Sequence, residues 1–273
     1  MNDVPKNLPI ICVEVLAPPS CPESILFYVE SARIHHNSKR FVESIEALQA
    51  ARKLWLQAIV LQHEEDNKPL SYHPEELYPE AELFFAFQMG VSLIALGCLD
   101  DSFTELLESS IDRALTFSDR LSVGSPDRSL GHTLQGSYYY SVKQQYEKAL
   151  KSFGSAKVCR ETILGVSPID LGTVYNNLGC ALIMNNQTLE GLQFLNDSLG
   201  FFSSSLGLSH PKSATVLYNV SLARRIGLDN LPQLPIIPPP KVAEQKKGKK
   251  GKKGKKKGKK GKKGTKGGKK KKK

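Results

Sequence analysis

The 273-residue sequence lacks the cysteine pairs that disulfide-rich and zinc-binding proteins carry. Its five cysteines are odd in number and scattered, and none lies at CxxC spacing: Cys12, Cys21, Cys98, Cys159 and Cys180. This pattern argues against a disulfide framework and a zinc site, and it favours a reducing compartment. The N-terminus also lacks a basic stretch followed by a long apolar run, so we expect no secretory signal.

The motifs of common catalytic and cofactor sites are also missing. The sequence contains no HExxH, GxxxxGK[ST], GxSxG or GxGxxG pattern, and these are the signatures of zinc proteases, phosphate loops, serine hydrolases and dinucleotide sites. His35 and His36 are adjacent, so on a helix they would point about 100° apart and could not share one metal ion. We therefore predict no catalytic residue, no metal ligand and no cofactor, and hence no enzyme.

Long hydrophobic runs are almost absent, and a single stretch approaches the length of a membrane span. Residues Leu83–Leu99 form 17 uncharged positions, at the lower edge of the roughly 17–25 residues that cross a bilayer. Acidic residues flank this stretch, Glu82 before it and Asp100 after it, and no Lys or Arg anchor lies nearby. We interpret it as a buried helix and predict no membrane span.

Positive charge is concentrated at one end of the chain. Residues 241–273, here called the lysine tail, contain 20 Lys, no Arg and a single acidic residue, for a net charge of +19, whereas the first 240 residues carry −8. Beyond Gln245 the tail has no apolar side chain to bury, so we predict that it is disordered. The preceding stretch 231–240, LPQLPIIPPP, cannot remain helical and is predicted to be an extended linker.

Helical periodicity dominates the remaining sequence. Residues 40–61 place apolar side chains at a spacing close to 3.6, at Phe41, Ile45, Leu48, Ala51, Trp55 and Ile59. No run of alternating apolar and polar residues predicts a strand. The fold class is therefore expected to be all-α.

A pattern of small and large residues recurs along the helical region. Its clearest copy, Tyr175–Ser198, has small residues at Gly179 and Gly191, and the equivalent positions Ser137, Gly179 and Ser221 are each 42 residues apart. Such spacing is typical of packed helical pairs, because small residues let two helices approach closely. We predict copies near 25–66, 83–118, 130–165 and 172–205, and a partial copy at 214–227.

This pattern resembles the tetratricopeptide repeat (TPR), and the 42-residue spacing with TVYNNLGCALI and LGLSHPKSATVLYNVSLARR resembles the kinesin-light-chain type. The typical Trp of the first helix is absent from every copy, where Tyr28, Ala86, Thr133, Tyr175 and Leu217 stand instead. The resemblance implies a right-handed superhelical stack of TPR-like helical hairpins. We assign this domain to 22–230 and expect an extended N-terminal segment at 1–21.

The resemblance also implies a concave surface built from the first helix of each repeat. The positions it places there are Tyr138, Asn176, Asn177, Cys180, Tyr218, Asn219 and Arg225. Asn side chains can hydrogen-bond the main chain of an extended peptide, and Tyr adds contact area. We predict a protein partner in this groove, although Asn177 could equally pair with a neighbouring helix.

The lysine tail is expected to bind a polyanion, with an affinity that falls as salt rises. The lysines assigned to this contact are Lys246, Lys247, Lys249, Lys250, Lys252, Lys253, Lys255, Lys256, Lys257, Lys259, Lys260, Lys262 and Lys263. The tail has no aromatic residue to stack on bases and no Arg for bidentate contacts. We therefore favour microtubules, through acidic tubulin C-terminal tails, over nucleic acid.

These features predict a non-enzymatic scaffold or adaptor in the cytoplasm, at the cytoskeleton, cilium or axoneme. The alternative is a nuclear or ribosome-associated adaptor whose tail binds RNA or DNA non-specifically. The tail could also fold back onto an acidic patch at 73–82, which contains four Glu. Whether the partial fifth copy docks onto a second chain remains open at the level of sequence.

Overall fold

The computed structural model describes residues 9–12, 21–65, 74–97, 100–163 and 165–229. The predicted linker and lysine tail lie outside these residues, as does most of the 1–21 segment. Within the described part all regular structure is helical, with a 3-10 turn at Pro126–Ser129. The helices are α1 (Glu23–Asn37), α2 (Phe41–Glu65), α3 (Pro74–Leu77), α4 (Pro79–Leu96), α5 (Asp101–Arg120), α6 (Leu130–Ser141), α7 (Tyr146–Glu161), α8 (Pro168–Met184), α9 (Thr188–Leu206) and α10 (Pro211–Asp229).

Successive helices pack as hairpins. The pairs are α1 with α2, α4 with α5, α6 with α7, and α8 with α9, while α10 packs against α9. Each hairpin contacts the next through α2 and α4, α5 and α6, and α7 and α8. The predicted all-α stack of TPR-like hairpins is confirmed.

Local sequence signals determine where the helices begin. Asp100 precedes α5, and its side chain accepts a hydrogen bond from the Phe103 N–H. Ser167 caps α8 in the same way through the Ile169 N–H, and Pro168 is the first residue of that helix. These side chains satisfy N–H groups that have no partner within the helix, and Pro suits the first helical position because it lacks an N–H.

The small residues of the repeat pattern lie where helices approach each other. A Cβ atom on Gly179 of α8 would lie 2.9 Å from the Gly191 carbonyl oxygen of α9, and one on Gly191 would lie 2.8 Å from the Gly179 oxygen. In the first hairpin the Ser44 hydroxyl donates to the Ala32 carbonyl at 2.9 Å. The repeat spacing thus marks positions at which larger side chains would separate the helices.

The apolar helix α4 lies inside the repeat stack. Phe85 and Phe87 are fully buried and belong to a hydrophobic cluster that runs from α1 to α6. Among the described residues α4 is the helix whose length and composition would allow a membrane crossing, and 61% of its apolar window is buried within the protein. Its burial agrees with the interpretation of this stretch as a core helix.

A buried ionic cluster corrects the expectation of an acidic surface patch at 73–82. Glu82 has no solvent-exposed surface, and its carboxylate accepts hydrogen bonds from Arg52 Nε at 3.1–3.2 Å and from Arg113. A carboxylate paired in this way is removed from water because two guanidinium groups balance its charge. Glu82 therefore joins α2, α4 and α5 and cannot contact the lysine tail.

Candidate peptide-binding groove

Side chains from α6, α8 and α10 converge on a short piece of the same chain, Pro9–Cys12. We call the surface that contacts this segment the groove. Its main contributors are Asn176 and Asn177 in α8 and Asn219 in α10, and all three are fully buried. Buried amides require hydrogen-bond partners, and most of the partners are main-chain atoms of the segment.

Asn219 binds both main-chain polar groups of Ile10. The Ile10 N–H donates to Asn219 Oδ1 at 2.8 Å, and Asn219 Nδ2 donates to the Ile10 carbonyl at 2.8 Å. A carboxamide can do this because it carries a donor and an acceptor side by side. The contact resembles one rung of a β-ladder in which a side chain replaces the neighbouring strand.

Asn177 repeats this arrangement at Cys12. The Cys12 N–H donates to Asn177 Oδ1 at 2.7 Å, and Asn177 Nδ2 donates to the Cys12 carbonyl at 2.8 Å. Asn177 and Asn219 occupy equivalent repeat positions 42 residues apart, and the residues they bind are two apart. Alternate residues of an extended chain present their main-chain groups on the same side, so the helical repeat matches the period of the bound segment.

Further polar contacts fix the middle and start of the segment. Asn176 Nδ2 donates to the Ile10 carbonyl at 3.0 Å, and Asn176 Oδ1 accepts from Asn219 Nδ2 at 2.9 Å. The Tyr140 hydroxyl at the end of α6 donates to the Pro9 carbonyl at 2.8 Å. Three helices thus contact main-chain groups of Pro9, Ile10 and Cys12, which sets the direction of the segment.

Burial differs sharply along the segment. Cys12 is 7% exposed, whereas Ile10 is 50% exposed. Burial raises the pKa of the Cys12 thiol to about 11, against a smaller lowering effect of Lys212, and burial raises the pKa of the fully buried Cys180 as well. Both thiols are protonated at neutral pH, so they act here as small packed side chains rather than as nucleophiles.

The seven residues predicted for the concave surface fall into two sets. Asn176, Asn177, Asn219 and Cys180 gather around Ile10 and Cys12; the Cys180 Sγ lies 3.6 Å from the Ile10 carbonyl oxygen. The others lie apart from this network: the Tyr138 hydroxyl donates to Glu108 of α5 at 2.5 Å, Tyr218 is 41% exposed, and Arg225 is exposed.

Sequence reasoning missed Tyr140 and the segment itself. The recurrence of Asn at positions 177 and 219 was a signal for two equivalent main-chain contacts. Tyr140 carried no comparable signal, since the equivalent positions in the next copies are Leu182 and Arg224. Nothing local in PIIC indicates that it lies against residues 165 to 209 positions away.

Titratable and metal-binding groups are sparse around the groove. In the part of the chain that the structure describes, no group of three or more His, Cys, Asp or Glu side chains is arranged to hold a metal ion. The chemistry that the groove offers is therefore hydrogen bonding to main-chain amides, together with apolar packing around one small side chain.

Comparisons with known proteins identify the fold. No model of a known protein family matches the chain, and no curated protein matches it. Two solved structures of TPR-like repeats from a Podosopora anserina protein assigned as a kinesin light chain are similar: one has a TM-score of 0.51 with 14% identity over 78% of this chain and 90% of that one. The other, a single-residue variant of those repeats, has a TM-score of 0.50 with 14% identity over 77% and 89%.

Proposed function

Because the chain has a TPR-like repeat fold whose groove holds an extended main chain, we propose that the protein is a non-enzymatic interaction scaffold. Its groove binds an extended segment of a partner protein. The observation that supports this function most directly is the pair of Asn177 and Asn219, each of which hydrogen-bonds both the N–H and the C=O of one residue. Main-chain recognition of this kind is the means by which strand addition binds extended peptides.

The second half of the proposal concerns the lysine tail. A net charge of +19 beside a body of −8 favours attachment to an acidic polymer by long-range electrostatics. We assign this polymer to microtubules, through the acidic tubulin C-terminal tails, because the tail has neither Arg nor aromatic residues for contacts to bases. The scaffold would then act in the cytoplasm, at the cytoskeleton or cilium.

Co-pelleting with microtubules tests the tail. Full-length protein should pellet with intact microtubules, and pelleting should fall at least about tenfold when salt is raised from about 50 to 200 mM, since such contacts are screened. Protease removal of the tubulin tails should abolish it, and a chain ending at Pro240 is the matched control. Undiminished pelleting without tubulin tails would refute this half, and preferential binding to RNA would favour the nuclear or ribosomal alternative.

Quantitative affinity capture tests the groove. Three baits are compared: the full chain, the chain ending at Pro240, and full-length Asn177→Ala/Asn219→Ala. Partners held by the groove should be lost from the Asn variant alone, whereas partners held by charge should be lost from the shortened chain alone. If the Asn variant retains every partner of the full chain, the groove is not the binding site and the scaffold proposal fails.

A further inference from the structure

The groove is already occupied by the chain's own segment Pro9–Cys12. We infer that this segment is a displaceable internal competitor, and that the partner segment shares its chemistry: an extended peptide with free main-chain amides at two alternate positions and a small side chain at the second. This inference rests on the proposed function, because it defines the ligand and the regulation of the same groove.

The contacts to the segment are largely independent of its side chains. Asn177, Asn219, Asn176 and Tyr140 all bind main-chain atoms of Pro9, Ile10 or Cys12. Every residue other than Pro offers the same N–H and C=O pair. An extended segment of another protein can therefore replace these hydrogen bonds one for one, which a contact made through specific side chains would not allow.

The side-chain requirement is confined to one position. Cys12 is 7% exposed and belongs to the hydrophobic cluster that also contains the fully buried Cys180. Ile10 is 50% exposed, so the groove leaves much of its side chain in solvent. The groove should accept Ala, Ser or Cys at the Cys12 position, reject a large residue there because a packed interior has no spare volume, and tolerate most residues at the Ile10 position.

Covalent connection gives the internal segment an advantage over a partner. A tethered ligand binds at an effective concentration set by its linker, in the millimolar range for short flexible linkers. A partner with the same chemistry must therefore bind at high local concentration or make additional contacts. The internal segment sets a threshold and keeps the three buried Asn side chains paired until a partner arrives.

The unaltered full-length chain provides the test, with Cys12 as the reporter. The probe is a synthetic peptide of residues 5–16, PKNLPIICVEVL, with Ser in place of Cys12. Iodoacetamide should alkylate Cys12 slowly in the free chain, because the thiol is buried, and at least about fivefold faster in saturating peptide, because displacement exposes it. Cys21, which is partly exposed and lies outside the groove, is the internal control, and its rate should not change.

Two altered probes test the ligand chemistry. A peptide with Lys at the Ile10 position should displace the segment with an affinity within about threefold of the first probe, since that side chain reaches solvent. A peptide with Phe at the Cys12 position should bind about tenfold more weakly or worse, because it overpacks the buried site. Methylation of the amide nitrogen at the Cys12 position should have a similar effect, since it removes the donor to Asn177.

The outcomes separate this inference from the proposed function. No acceleration of Cys12 alkylation at millimolar peptide, or equal affinity for the Phe and Ser peptides, would overturn the inference. The scaffold proposal would still stand if Asn177→Ala/Asn219→Ala lost partners in the capture experiment. In that same variant Cys12 should be alkylated faster without any peptide, because both anchoring residues are gone, and an unchanged rate there also counts against the inference.

Discussion

At the scale of single residues, the groove depends on carboxamides in positions where water cannot reach. Asn177 and Asn219 are fully buried, and each needs a donor and an acceptor opposite it to remain so. Asp would offer two acceptors and no donor, and Leu would offer neither. The residue type therefore follows from the main chain that it contacts.

Replacement of Asn177 tests this dependence. Asn177→Ala should leave the Cys12 N–H and C=O without these partners and lower the free energy of unfolding by about 1–3 kcal/mol, the usual effect of an unsatisfied buried group. Asn177→Asp should destabilise at least as much, since it adds a buried charge. Urea denaturation followed by circular dichroism measures both. The exposed Asn37 gives the matched control, and an equal effect of Asn37→Ala would contradict the argument.

Glu82 allows a second comparison between a buried and an exposed ion pair. Glu82→Gln should lower the free energy of unfolding by about 3–5 kcal/mol, because Arg52 and Arg113 would lose their buried counter-charge. Glu30→Gln removes the exposed pair with Arg33, whose side chains are 41% and 58% exposed, and should cost less than about 1 kcal/mol. Similar denaturation midpoints for the two variants would show that burial does not govern the effect.

Two half-buried histidines predict the response of the fold to acid. Burial lowers the pKa of His36 and of His132, where Asp119 opposes and Arg128 assists the shift. The folded state thus prefers the neutral rings, so their contribution is complete above the unfolded pKa near 6.5 and is lost as pH falls through the lowered values. Melting temperatures should decline below about pH 6.5. His36→Gln/His132→Gln should flatten this decline, and an unchanged slope would refute the assignment.

At the scale of helical elements, close approach of backbones determines the repeat. Gly179 and Gly191 face each other so closely that an added Cβ on either would lie within 2.9 Å of the other's carbonyl oxygen. In the same helix as Gly191, Gly200 has no atom within 4 Å of such a Cβ. Two glycines in α9 thus have opposite packing environments, although their intrinsic helix propensity is the same.

Alanine substitution should separate these two glycines. Gly200→Ala should raise the free energy of unfolding by up to about 1 kcal/mol, because Ala restricts the unfolded chain and favours helix. Gly191→Ala should instead lower it by about 1–3 kcal/mol, since the clash with the α8 backbone outweighs that gain. Thermal unfolding of the pair measures the difference, and stabilisation by both substitutions would show that α8 and α9 are not in close contact.

At the scale of the whole molecule, the two ends of the repeat domain meet in the groove. Ile10 contacts Asn219 across 209 positions of sequence, whereas the helices contact mostly their neighbours. In a stack of this kind a local change is expected to affect adjacent repeats first. The N-terminal segment is the exception because it binds repeats at the far end.

Deletion of residues 1–12 should show this long-range effect by hydrogen exchange. Amides of α8 and α10 should exchange faster, because Asn176, Asn177 and Asn219 lose their main-chain partners, while amides of α1 and α2 should keep their protection. Mass spectrometry of peptic fragments resolves these regions. Uniform loss of protection would indicate that the segment supports the whole domain, and no change would indicate that it does not occupy the groove in solution.

Most of the fold was predictable from the sequence because its information is local. The apolar spacing of 40–61 predicted a helix observed as α2, and the 42-residue recurrence of Ser137, Gly179 and Ser221 predicted stacked hairpins. The placement of Asn176, Asn177 and Asn219 together on one face followed from the repeat resemblance. Tyr138 was placed with them, but its hydroxyl binds Glu108, a choice between two faces of α6 that helical spacing alone does not make.

The sequence by itself determined the helices, their pairing and the residue types that can bind a main chain. Only the tertiary structure decided which main chain is bound, and it is the chain's own Pro9–Cys12. It also decided that Glu82 is an interior residue rather than part of an acidic surface. Both outcomes depend on which distant groups the stacked helices bring within hydrogen-bonding distance, and no periodicity in the sequence encodes that distance.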